Sequence, residues 1–183
     1  MNFLRIFFAF FLIHIFFLPA HSSQKNILNE LFDQLEKVNN FKRAELLEKK
    51  IWSIWNEHPK DIRLTEKLEL GAELIKYGDY DYALKIFDNI LASDPGWSEA
   101  WNKRATVFFL MKQYTKSLSD IDKVLKIESR HFGALSGQAR IFIKLQEYEK
   151  AIISLKKALK FYPAFRSGEL IPEIERLIKE ESI

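Results

Sequence analysis

Cysteine is absent from the 183 residues. Disulfide staples, thiolate zinc sites and an N-terminal lipidated cysteine are excluded by that one fact. Glycine is scarce, six in the whole chain, and no segment has the spacing of a phosphate-cradling loop. Histidine is scarcer. Of the four, His14 and His21 lie near the N-terminus. His58 and His131 stand alone, with no serine–histidine–carboxylate order around them. Blocks of one charge are missing too, because 28 basic and 25 acidic residues are interspersed along the chain. The net charge of +3 therefore marks no basic patch, and nucleic acid is not an expected partner. These absences point away from enzymatic function: no catalytic, metal-ligating or cofactor-binding residue is expected, and no cofactor.

Apolar and aromatic side chains are plentiful, at 48% and 14% of the chain. Many of the 16 phenylalanines crowd the N-terminus. Arg5 precedes an apolar run over residues 6–18 that only His14 interrupts. Pro19 ends it, and Ala20-His21-Ser22 puts small residues at the −3 and −1 positions of a cleavage before Ser23. Residues 1–22 read as a secretory signal, so the mature protein is expected to be exported, to a periplasm. The run is shorter than the roughly 20 apolar residues of a membrane span. Membrane association is expected only if this segment stays uncleaved as an anchor.

The rest of the chain follows a period. Tyr80, Ala83, Phe87 and Ile90 recur 34 residues on as Tyr114, Ser117, Ile121 and Val124, and again as Tyr148, Ala151, Leu155 and Ala158. Three copies at constant spacing predict stacked helical hairpins, an all-α repeat solenoid. The units span 64–97, 98–131 and 132–165, each with a helix A and a helix B. In the first, helix A over 62–77 ends at Gly78, suited to a left-handed C′ position. Asp79 is the expected N-cap of helix B over 80–92, and Asp94-Pro95-Gly96 turns the chain back. Lys112 and Gln146 replace Gly78 in the later copies. There the left-handed turn should cost about 1 kcal/mol or change type.

Residues 23–61 read as an N-terminal antiparallel hairpin. Its helices run over 26–38 and 41–57, joined at Asn39-Asn40 with Asn40 as an N-cap. Phe41 and Ala44 echo the Tyr–x–x–Ala spacing, yet Phe41 to Tyr80 is 39 residues rather than 34. This offset unit is expected to cover the N-terminal end of the stack. Residues 166–183 read as a capping helix, with Pro172 in its first turn and Ile174, Leu177 and Ile178 on one face.

At this point the residues resemble a known family. Trp101–x3–Ala105–x2–Phe108 with Tyr114–x2–Ser117–x3–Ile121 looks like the tetratricopeptide repeat. So does Gly71–x2–Leu74 with Gly78-Asp79-Tyr80–x2–Ala83–x3–Phe87–x7–Pro95. The third copy is similar through Leu135, Ala139, Phe142, Tyr148, Ala151, Leu155 and Pro163. The chain is similar to exported bacterial proteins of this type, which carry no assigned function. The resemblance covers residues 64–165. It implies a non-enzymatic interaction module that holds a protein or peptide in a concave groove lined by the A helices.

The groove positions it carries over are Leu68, Ala72 and Ile75 in the first unit. In the second they are Asn102, Thr106, Phe109 and Leu110, and in the third Ser136, Arg140 and Ile143. Leu68 and Ala72 stand where members that bind chaperone tails carry Lys and Asn, so a carboxylate clamp is not expected. The competing expectation is that the N-terminal hairpin folds across the groove and buries its apolar strip. A second functional reading is a structural or assembly subunit of an envelope complex, tethered by an uncleaved N-terminus and using Trp52 and the convex face. Trp55 shares a face with Ile51 and is expected in the core. Trp97 is expected to stack near Trp101, and His131 to act as a cap or turn residue. Acidic residues at helical spacing with Lys read as solvated faces.

Overall fold

A computed structural model describes residues 20–181, so the leader expected over 1–22 lies outside the described residues up to position 19. The helices are α1 (Ala20–Leu35), α2 (Phe41–Asn56), α3 (Ile62–Lys76), α4 (Tyr80–Ser93), α5 (Ser98–Leu110), α6 (Tyr114–Ile127), α7 (Phe132–Lys144), α8 (Tyr148–Phe161) and α9 (Ile171–Glu181). A 3-10 turn, Arg166–Leu170, leads into α9. No strand occurs among the described residues.

The hairpins α3–α4, α5–α6 and α7–α8 stack in order. Helix α5 touches both α3 and α7, so the A helices line the inner curve. Small residues let each A and B pair approach closely. Gly71, Ala105 and Ala139 on the A helices, and Ala83, Ser117 and Ala151 on the B helices, are all buried. A Cβ on Gly71 would sit 2.6 Å from the Phe87 ring, closer than van der Waals contact allows.

All three mid-unit turns have one geometry. Gly78, Lys112 and Gln146 have φ of 78°, 59° and 60°. The N–H three residues past each helix end donates back across the turn, Asp79 to Leu74 at 2.9 Å, Gln113 to Phe108 at 2.8 Å and Glu147 to Phe142 at 2.8 Å. The turn thus keeps its left-handed type without glycine. Asp79 does not cap α4 through its side chain, contrary to expectation. With ψ at 69°, its backbone is held by that turn rather than extended, the usual conformation of a capping residue. Asn40 does cap α2, accepting from Arg43 N at 3.0 Å. Asp61 caps α3 in the same way, accepting from Arg63 N at 3.0 Å.

The N-terminal hairpin departs most from expectation. Helix α1 begins at Ala20, not 26, and ends at Leu35, not 38. Residues 20–25 continue the helix without an apolar face to announce it. The hairpin does not cover the N-terminal end of the stack. It folds back across the inner curve, and Phe32, Leu35, Ile51 and Trp55 share one core with Phe132, Leu135, Ala158 and Tyr162 of the third unit. The five extra residues before Tyr80 supply the turn. His58 N donates to Thr65 Oγ1 at 2.8 Å, and His58 Nδ1 accepts from Asp61 N at 2.9 Å. The outer face of α3 is left open, with Ile62, Leu70 and Tyr77 exposed. At the other end α9 lays Ile174, Leu177 and Ile178 on Tyr148, Ala151 and Leu155.

Candidate functional site

Two histidine–carboxylate pairs seat the hairpin in the groove. His131 is the N-cap of α7, and its Nδ1 accepts from Ala134 N at 3.1 Å. Its proton is therefore on Nε2, which donates to Glu99 Oε2 at 3.0 Å. Both residues are fully buried. Burial alone would raise the Glu99 pKa. The His131 bond and the Lys103 ammonium, 3.0 Å from Oε1, outweigh it and hold the carboxyl below its ordinary range. His58 repeats the scheme, with Nδ1 on the backbone and Nε2 2.8 Å from Asp94 Oδ2. Between the pairs lie two indoles. Trp55 stacks on His131 at 4.0 Å and 7°, and its carbonyl accepts from Trp97 Nε1 at 2.9 Å. Trp97 meets His58 edge-on at 5.0 Å. Farther along, Tyr162 donates to Glu48 Oε2 at 3.0 Å, and burial together with that carboxylate raises the phenol pKa.

The hairpin covers only part of the inner curve. Beside it, between α5 and α7, a cavity of about 410 Å³ stays open. Its floor is Ala105 and Ile121 with Gly133 and Gly137, two residues of α7 one turn apart. Gly133 is close against Trp52, whose ring would lie 2.5 Å from a Cβ there, whereas at Gly137 the nearest atom is 3.7 Å away. The walls are Phe109, Trp52 and Phe165. Arg140 stands at the rim, exposed and without an ion-pair partner among the described residues.

The expected groove residues divide into two sets. Asn102, Thr106, Phe109, Ser136 and Arg140 line this cavity. Leu68, Ala72, Ile75, Leu110 and Ile143 do not. Leu68 is buried in the first unit's core, and Ile75 and Ile143 pack into the cores of their own units. Leu110 is exposed, and Ala72 is half-buried. The apolar strip is thus broken by intra-unit packing, while the hairpin covers the end nearest His131. Ser136 Oγ is 2.9 Å from Ser167 Oγ, which ties the 3-10 turn to the cavity edge.

Trp52 is not on the convex face. It packs edge-on against Trp55, His131 and Phe132 at 5.3–5.5 Å and forms a cavity wall. Trp55 is in the core as expected. Trp97 turns to His58, not Trp101, because its indole N–H is claimed by Trp55 O; Trp101 Nε1 donates to Pro95 O at 2.9 Å instead. Acidic residues are expected on solvated faces, yet Glu99 and Asp120 are both buried.

Residues 76–158 match a family model described as anaphase-promoting complex, cyclosome, subunit 3. A TPR repeat-containing protein of Rhizobium etli is 36% identical over 115 residues, covering 63% of this chain and 56% of that one. The chain thus spans about half the length of this curated relative. Among solved structures, the first TPR of Spaghetti (RPAP3), bound to an HSP90 peptide, superimposes with a TM-score of 0.60 at 20% identity. The match covers 63% of this chain and 93% of that domain. The MamA protein matches with a TM-score of 0.55 at 18% identity, over 87% of this chain and 86% of its own.

Proposed function

We propose that this chain, a tetratricopeptide-repeat protein, serves as a protein-interaction module that takes a peptide segment of a partner into the cavity between its second and third units. The open cavity beside α5 and α7 carries this reading. It is concave, mostly apolar at its floor and walls, and edged by a few polar groups, the make-up of sites that bind side chains of a partner. Phe109 and Ile121 would receive an apolar anchor, with Asn102, Ser136 and Arg140 available to its backbone or flanking residues. The peptide-bound structure among its fold neighbours supports the class of work and not the identity of the partner.

A photocrosslinking residue at Thr106, an exposed cavity-lining position, tests this directly. In cells of the source organism it should yield a discrete adduct with a polypeptide. The same residue at Asn89, exposed on the B helix α4, should not. Equal adducts at both positions would count against the groove. We further propose that the protein works after export, with the leader removed before Ser23; an intact chain starting at Met1 in the envelope fraction would instead favour the tethered form.

The exposed outer face of α3 favours a second reading, an assembly subunit whose neighbour packs on Ile62, Leu70 and Tyr77. Sizing separates the two, since a stable oligomer dispersed by Tyr77→Glu would support assembly, and a monomer would oppose it.

A further inference from the structure

The open end of the first unit differs from the faces that the later units bury. Ala100 and Val107 of α5 are equivalent, one period on, to Ala134 and Ile141 of α7. All four are buried against the preceding unit. Ala100 and Val107 belong to the first unit's core, and Ala134 and Ile141 to the second's. One period earlier the same two positions are Glu66 and Glu73 of α3, both exposed. Ile62, Leu70 and Tyr77 lie exposed around them. Carboxylates at stacking positions oppose burial against another apolar repeat. This face fits a surface that brings cations together with an apolar side chain.

Such a surface stands on the third unit. On α8, Ile153 is 54% exposed and lies between Lys150 and Lys157, both exposed. At the place of Ile153, α6 has Ser119 and α4 has Lys85. The near-even charge of the whole chain conceals this polarity. Residues 64–97 hold three basic and seven acidic side chains, whereas residues 132–165 hold six basic and two acidic. The spacings also correspond. Glu66, Leu70 and Glu73 are four and then three residues apart along α3, and so are Lys157, Ile153 and Lys150 read backwards along α8.

We propose that α3 of one copy docks antiparallel on α8 of a second copy, with Leu70 on Ile153, Glu66 beside Lys157 and Glu73 beside Lys150. This rests on the assembly reading and names its neighbour as another copy of this chain. Glu73 and Lys150 each hold an exposed ion pair close by, to Lys76 and Glu147. Such surface pairs are weak and exchange for the new ones. The two faces lie at different places on each molecule, so the contact is head-to-tail and can propagate. It does not lengthen the solenoid, because α9 already covers Tyr148, Ala151 and Leu155 at the far end. None of the six docking residues lines the groove cavity.

Sedimentation of the purified protein should show a mean mass that rises with concentration, with association about tenfold weaker at high salt than at low salt. Lys157→Glu should weaken association about tenfold. The double variants Lys150→Glu/Lys157→Glu and Glu66→Lys/Glu73→Lys change only exposed residues, and each alone should be monomeric with unchanged circular dichroism. Mixed in equal amounts they should associate again, since each supplies the charge that the other lacks. A wild type that stays monomeric would overturn this contact and the assembly reading together. An oligomer dispersed by Tyr77→Glu but not by Lys150→Glu/Lys157→Glu would overturn this contact alone, as would a mixture of the two double variants that remains monomeric.

Discussion

Arg104 and Asp120 hold the second unit's helices together by a charge pair. Arg104 Nε and Nη2 each reach an Asp120 oxygen at 2.8 Å, while Nη1 reaches Asp88 of the first unit at 2.6 Å. One period later the same two positions are Gln138 and Ser154, joined by a hydrogen bond of 2.9 Å. One period earlier they are Leu70 and Ile86. Asp120 is buried, so Arg104→Leu should leave an uncompensated charge and cost about 3–5 kcal/mol. Adding Asp120→Ile recreates the apolar choice of the first unit and should recover most of that loss. Chemical denaturation of both variants measures this, and a double variant as unstable as the single one would contradict it. Neither Asp120 nor Glu99 was legible as buried. Each is spaced like its solvated neighbours, and one sequence does not mark which acid faces inward. The alignment of Arg104 with Gln138 and Asp120 with Ser154 is a trace of the pairing, readable once the helices are known to touch there.

At the scale of elements, the left-handed mid-unit turn is the fixed point. The B helices begin at Tyr80, Tyr114 and Tyr148, as the period predicts. Their turns are equivalent in backbone though only one carries glycine. A non-glycine residue in this region loses about 1–2 kcal/mol to contact between its Cβ and the following carbonyl. Lys112→Gly and Gln146→Gly should therefore each stabilise the protein by about 1 kcal/mol. Gly78→Ala should lower stability by a similar amount, since an added Cβ there meets nothing within 4 Å and only the backbone conformation opposes it. Urea midpoints at constant slope would show the three effects. A loss of stability in either glycine variant would mean that the side chain, not the turn, is what matters. These turns were readable because their geometry is local. Trp97 was not, because its partner, the Trp55 carbonyl, is 42 residues away.

At the scale of the molecule, the groove was half legible. Asn102, Thr106, Phe109, Ser136 and Arg140 of the second and third units do border an open cavity, because the period places them on the inner curve, whereas Leu110 and Ile143 of the same units do not. The first-unit positions do not, because Leu68 and Ile75 satisfy their own unit's core. The hairpin's destination was hidden for a different reason. Its helices, join and cap are written in adjacent residues, whereas its docking surface is set by Phe132 and Tyr162, which lie about a hundred residues on. The 39-residue offset said only that the hairpin was out of step with the array.

That docking changes how the chain should come apart. A solenoid whose units touch only their neighbours behaves as a one-dimensional array, and its ends fray independently. Here Asn29 bonds Arg130 across 101 residues, and Glu48 bonds Tyr162 across 114. The array is closed into a loop by its own N-terminus, so the first and third units open together. Native-state hydrogen exchange should show α3–α4 and α7–α8 sharing one opening free energy. Gly133→Leu, which drives into the Trp52 ring and lifts the hairpin, should split them, with α3–α4 exchanging first; a common opening energy in that variant would show that the stack alone is cooperative. The same closure joins contacts far apart in sequence, so the intact chain should fold more slowly than an open array of equal length.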